Sequence, residues 1–308
     1  MAHFYRLTRT FSILMVLLVT ATFSFAANEV DLKFNLKKGD VTKYRTSIDM
    51  TTSQTMGEMV QTVEMNQIFE YTIDVKDIAS NGNFSTQITY TRVAINMVAG
   101  GMDMAFDSDD ESTANPQFSS FGALIGKSIN ATFTPKGKII ELDGVDAMIN
   151  ELAGDNEAIR TQVEQNLTQS FDDEKMKQMF GGSFIEYPAK LVKVGTKWTE
   201  NQTINNQFTL NVINNYVVKG VDADFVNLDV TSTLATTPGN KSEMQGMEVS
   251  FNLFGTQSGT IKVDKKSGKV VESTVNQNIS GNLSADMGGQ NMDIPMTVAS
   301  KSATKIIK

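Results

Sequence analysis

The chain has 308 residues, with 27 Lys and Arg against 35 Asp and Glu, no Cys and a single His, for a formal charge of −8. Without Cys, and with its only His at position 3, a chain processed near its N-terminus has no disulfide, no His/Cys zinc site and no Ser-His-Asp or Cys-His nucleophile. The acidic balance also argues against nucleic acid or an anionic membrane surface as the main partner.

In chain order, residues 1–26 read as a secretory signal peptide. Arg6 and Arg9 precede an apolar run from Phe11 to Phe25, and small residues at Ser24 and Ala26 set cleavage between Ala26 and Ala27. A retained anchor is the competing reading, but the run is shorter than the about 20 residues a span needs. Loss of Arg6 and Arg9 takes the charge from −8 to −10, and His3 goes with them.

Period-two patterning then dominates. From Val63 to Val75 alternate positions read Val63, Met65, Gln67, Phe69, Tyr71, Ile73 and Val75, between polar neighbours. Val271, Ser273, Val275, Gln277, Ile279 and Leu283 repeat the pattern late in the chain. This is how antiparallel sheets with one solvated face read. A thirteen-residue strand spans about 43 Å, so a coiled sheet or incomplete barrel is expected. Further strands are predicted near 31–36, 41–52, 84–98, 128–134, 138–142, 184–194, 196–204, 207–219, 225–235, 246–254, 258–264 and 290–299.

Between Asp143 and Phe180 the period becomes helical. Val145, Met148, Ile149 and Leu152 share a face, with Asp143 as N-cap and Gly154 as stop. The same phrases recur in the same order on both sides of this insert. LKKGDVTKY (36–44) resembles VKVGTKW (192–198), and FEYTIDVKDIASNGNFSTQITY (69–90) resembles LNVINNYVVKGVDADFVNLDVTS (210–232). TFTPKGKIIE from Thr132 resembles TIKVDKKSGKVVE from Thr260. The predicted fold is therefore mainly β: two similar curved antiparallel meanders, residues 27–142 and 183–308, with a helical insert at 143–182.

Four groups of side chains are candidates for function. Asp107, Asp109, Asp110 and Glu111 form an acidic run that reads as a solvated loop or a calcium site, although the Gly and Glu of the EF-hand phrase are missing. Phe69, Tyr71 and the lone Trp198 fall on apolar faces, as core or as the lining of an apolar ligand site. Several of the 17 Met sit beside Gly near strand ends, where flexible thioethers fill an irregular core or rim an adaptable pocket. Lys136, Lys138, Lys265, Lys266 and Lys269 crowd the two repeated turns, as solvated turn residues do.

FDSDD (106–110), GKSINATFTPKGKIIELDG (126–144), FIEYPAKLVKVGTKW (184–198) and GTIKVDKKSGKVVEST (259–274) resemble a family of secreted bacterial proteins, a domain of unknown function found mainly in Bacteroidota. The resemblance spans roughly residues 30–285 and brings no activity or catalytic residues. Many of those relatives look like lipoproteins; this chain lacks their Cys, which implies a soluble periplasmic or secreted form. A looser similarity, in shape alone, is to the bacterial lipoprotein-carrier fold. The expected function is non-enzymatic binding of an apolar ligand, a lipid or acylated protein, with no cofactor. The alternatives are an envelope scaffold with a packed interior and, more remotely, a carboxylate-based hydrolase.

Overall fold

The computed structural model describes residues 29–115, 118–122, 124–144, 183–205, 209–237, 239, 241–244, 247–286 and 291–308. The predicted signal peptide, its Ala26–Ala27 junction and the predicted helices after Gly144 lie outside these residues. Asp143 and Gly144 are described. Asp143 ends a strand and its carboxylate accepts from Gly144 N; the helix it is predicted to cap lies outside the described residues.

Among the described residues thirteen strands form one antiparallel sheet. They are β1 (Val41–Met56), β2 (Met59–Ile78), β3 (Phe84–Ala99), β4 (Met102–Asp107), β5 (Ser128–Phe133), β6 (Ile139–Asp143), β7 (Lys197–Asn205), β8 (Thr209–Val221), β9 (Phe225–Thr236), β10 (Lys241–Met244), β11 (Met247–Asp264), β12 (Val270–Asp286) and β13 (Asn291–Ile307). The order is β6-β5-β3-β2-β1-β13-β12-β11-β9-β8-β7, with β4 beside β3 and β10 beside β11. No described strand joins β6 to β7, so the sheet is not closed.

The two halves have the same connectivity: β1-β2-β3-β5-β6 and β7-β8-β9-β11-β12, joined through β13. Their entry turns match atom for atom. Gly39 N donates to Val75 O and Val75 N to Asp40 O; Gly195 N donates to Val218 O and Val218 N to Thr196 O. The expected pair of curved meanders is thus present. Segments 31–36 and 184–194 are not strands; the second carries bends at 189–190, and an isolated bridge links Val192 to Val30, just before the first. The predicted strands 246–254 and 258–264 are one continuous β11, and the strand predicted at 290–299 runs on to Ile307. The short β4 and β10 were not predicted.

Curvature follows from hydrogen bonds at the lower end, where the β5–β6 and β11–β12 turns lie. These strands are six places apart in the sheet, about 29 Å if it were flat. Yet Phe34 N donates to Pro135 O at 2.7 Å and the next residue, Asn35, donates to Ser267 O at 2.9 Å. Tyr187 repeats the link, from its N to Lys136 O and from its OH to Gly268 O. The sheet therefore wraps until its two repeated turns grip one segment. The contact is close. A Cβ on Gly268 would lie 2.0 Å from Lys33 O, and one on Gly137 would lie 2.3 Å from Ile185 O. Both glycines have positive φ, 71° and 90°.

The lower interior is filled. Phe34 touches Phe84, Phe184 and Tyr187, and Phe133 stacks on Phe184 at 4.1 Å. One core joins residues of both halves, from Tyr71, Ile88 and Phe133 to Val226, Leu228 and Val263. Alternation is broken at bulges. At Thr91 in β3 the buried set switches from Ile88 and Tyr90 to Val93 and Ile95. At Val271 in β12 the shift places Val270, not the predicted Val271, fully in the core.

Candidate functional site

Above the filled core, cross-strand register assembles a row that linear sequence scatters. Met50 faces Met65, Met65 faces Met97, and Met97 faces Met104. Four thioethers thus lie side by side across β1, β2, β3 and β4 on the core-facing side, all half-buried. Met65, Met97 and Met104 pack against the core below. Three strand spacings make the band about 14 Å wide. Across β13 the same row turns polar: Ser300, Gln277, Gln257, Ser232 and Asn214. There Ser232 Oγ donates to Asn214 Oδ1 at 2.6 Å. The next row up, Val63, Thr52, Val298 and Ile279, is mainly apolar and also half-buried.

The residues expected to line a ligand site fall elsewhere. Phe69 and Tyr71 are buried, 8% and 1% exposed, two and three rows below the methionines. Tyr71 stacks on Tyr44 and bonds Ser183 Oγ at 2.7 Å. Burial pushes the Tyr71 phenol up, so it stays neutral. Trp198 stacks on Tyr216 at 4.9 Å on the inner side of β7, and its indole donates to Glu186 O. All three belong to or pack on the same core. An open depression of about 590 Å³ crosses β9, β11, β12 and β13. Its lining takes in exposed residues such as Thr233, Phe254 and Asn278 and also Leu234, Ile279 and Val298 of the opposite parity. None of Phe69, Tyr71 and Trp198 lines it.

The acidic run is engaged locally. Arg92 grips Asp107 with two bonds, 3.1 and 2.7 Å, and lies 3.4 Å from Asp109. Asp110 caps the one-turn helix Glu111–Thr113 by accepting from Ser112 N. Among the described residues no group of three or more His, Cys, Asp or Glu is placed to hold a metal ion. On the same outward face Glu70, 4% exposed, is covered by its own partners: Lys43 at 2.6 Å, Arg45 at 2.5 Å and Arg92 at 3.7 Å.

Burial pushes the Glu70 carboxyl up, but hydrogen bonds and charge from Lys43 and Arg45 outweigh it and hold the group below its usual range. Arg92 holds Asp107 down likewise, against burial. A carboxylate depressed in the folded state stabilises fully above its unfolded pKa, about 4, and that stability is lost as pH falls through the folded value. Urea midpoints should therefore be level near neutrality and fall below about pH 4. Glu70→Gln should lower the neutral plateau and flatten the acid decline; an unchanged pH profile would refute the coupling.

With this geometry in place, comparison identifies the kin of the chain. Residues 81–270 match the family described as Family of unknown function (DUF6263). The chain belongs to this family. No curated protein matches the sequence. Among solved structures, lipovitellin, described for its lipid–protein interactions, superposes with a TM-score of 0.51 at 10% identity. The match covers 88% of this chain, which spans only 25% of lipovitellin. Pseudomonas aeruginosa OpdQ (TM-score 0.24, 6% identity, 89% of this chain and 100% of that one) is also similar. So is an outer membrane channel from Pseudomonas putida F1 (0.23, 6%, 90% and 98%). Those two superpositions are too loose to establish a shared fold. No helix among the described residues is long and apolar enough to cross a membrane.

In this member of the family the sequence signal for the methionine row was present but unread. Met56-Gly57-Glu58-Met59 is a two-residue turn, which places Met50 opposite Met65 by counting. Gly100-Gly101 does the same for Met97 and Met104.

Proposed function

We propose that the protein is a non-enzymatic periplasmic or secreted binding protein that takes an apolar ligand, a lipid or the acyl chain of a lipoprotein, on the upper inner face of its sheet. The observation that carries this reading is the half-buried methionine row above a filled core. Thioether side chains adapt to flexible apolar ligands, and the rings below them are packed against one another. The lipovitellin likeness supports the shape alone. A fluorescent acyl-chain probe should bind the purified chain. Met50→Asp, which places a charge at the end of the row, should weaken binding about tenfold or more. Equal binding by this variant, with its thermal midpoint retained, refutes the site.

A second reading is an interaction module of the envelope. The packed aromatic core at the lower end favours it, and a complete lack of probe binding would select it. The hydrolase reading has little support: Glu70, the buried carboxylate among the described residues, is neutralised by three cations on the outward face.

A further inference from the structure

Three neighbouring hairpins carry exposed apolar side chains at the upper end of the sheet. Met102 at the β3–β4 tip is 64% exposed; Met59 and Val60 at the β1–β2 tip are 70% and 65% exposed. Met56 and Val98 are exposed beside them, and Met292 opens β13 on the next hairpin. The tips adjoin because β3, β2, β1, β13 and β12 are consecutive in the sheet. Grouped apolar exposure of this kind marks an interaction surface.

The charge around it has one sign. Residues 46–75, 93–126 and 270–300, which supply these tips, contain no Lys or Arg. Glu58, Glu64 and Asp103 are exposed there and form no ion pair among the described residues. Lys301 lies lower, opposite Asp49, and Lys241 on β10 is paired with Glu248. Elsewhere cations and anions are interleaved, as at Arg92, Glu70 and Arg45.

We propose that this rim docks a cationic polypeptide segment bearing apolar side chains. The segment lies across the rim: its apolar residues settle on Met56, Met59 and Met102, which continue the inner rows, and its Lys or Arg residues reach Glu58 at the tip and Glu64 and Asp103 on the outward side. Flexible thioethers tolerate varied sequences, and the one-signed field steers the basic partner in. An anionic lipid surface would be repelled by the same field. The proposal does not depend on the acyl-ligand reading of the inner face.

The test is fluorescence anisotropy with a labelled amphipathic Leu/Lys peptide and a matched Leu/Glu peptide. Vesicles of phosphatidylcholine, with and without phosphatidylglycerol, run in parallel. The variants are Met59→Ser with Met102→Ser, and Glu58→Lys with Glu64→Lys and Asp103→Lys; all these positions are exposed, and circular dichroism checks folding. The Lys peptide should bind, more weakly as salt rises, and about tenfold less in either variant. The Glu peptide should bind at least about tenfold less. Equal affinity for both peptides, unchanged binding in both variants, or binding to vesicles without binding to peptide overturns the proposal. Loss of acyl-probe binding with peptide binding intact sinks the apolar-ligand reading and leaves this one standing.

Discussion

Phe34→Ala should destabilise the protein by about 3–5 kcal/mol, measured by urea unfolding. The ring is 5% exposed and contacts Phe84, Phe184 and Tyr187 with centroids 5.4–5.6 Å away. Removing it opens a cavity where neither repeated turn can follow, because backbone hydrogen bonds hold Phe34 and Asn35 between Pro135 and Ser267. Hydrogen exchange should speed up at both turns together, although they are more than 100 residues apart in sequence. Loss of protection at one turn alone would show that the grip is not shared. Phe34→Leu should cost less, since much of the volume remains.

Gly259→Val should be comparably severe. A Cβ at this position would lie 2.2 Å from Thr274 O and 2.9 Å from Val275 Cα, both on the facing strand β12. Backbone cannot yield there without breaking the ladder between β11 and β12. Gly255 and Gly281 press on the same strand pair, with would-be Cβ contacts of 2.4 and 2.0 Å. These glycines let the two backbones lie closer than any side chain there would allow. Overpacking and lost pairing together should lower stability by at least about 3 kcal/mol. Gly220→Ala is the control. Its Cβ would meet Asn227 Nδ2 at an ordinary 3.5 Å, so stability should move by less than about 1 kcal/mol. If the two substitutions behaved alike in thermal unfolding, the close approach of β11 and β12 would not depend on glycine.

Alternation made the strands legible because each turns one face to the core. It read Phe69, Tyr71, Ile73 and Val75 onto the inner side, where all four are buried. It failed at bulges, where one inserted residue reverses the parity, as at Thr91 and Val271. It also fails at Val194, which by parity alone would share the face of Trp198. The turn at Gly195 leaves Val194 61% exposed. Segments 31–36 and 184–194 looked like strands because apolar and polar residues alternate there whether or not the backbone pairs. Their true role, packed against the two repeated turns, depends on contacts far apart in sequence. The methionine row was equally hidden, since each member is unremarkable alone and only register unites them.

The pairing of β1 with β13 has a consequence for biogenesis. Lys43 lies opposite Ile307, so the first strand to emerge from the ribosome waits for the last before its second edge is covered. Until then β1 and β12 both present open ladders, to each other and to foreign strands. Maturation should therefore be slow and post-translational, and a chain cut short before β13 should be handled by the cell as an aggregation hazard, not as a smaller version of the same molecule.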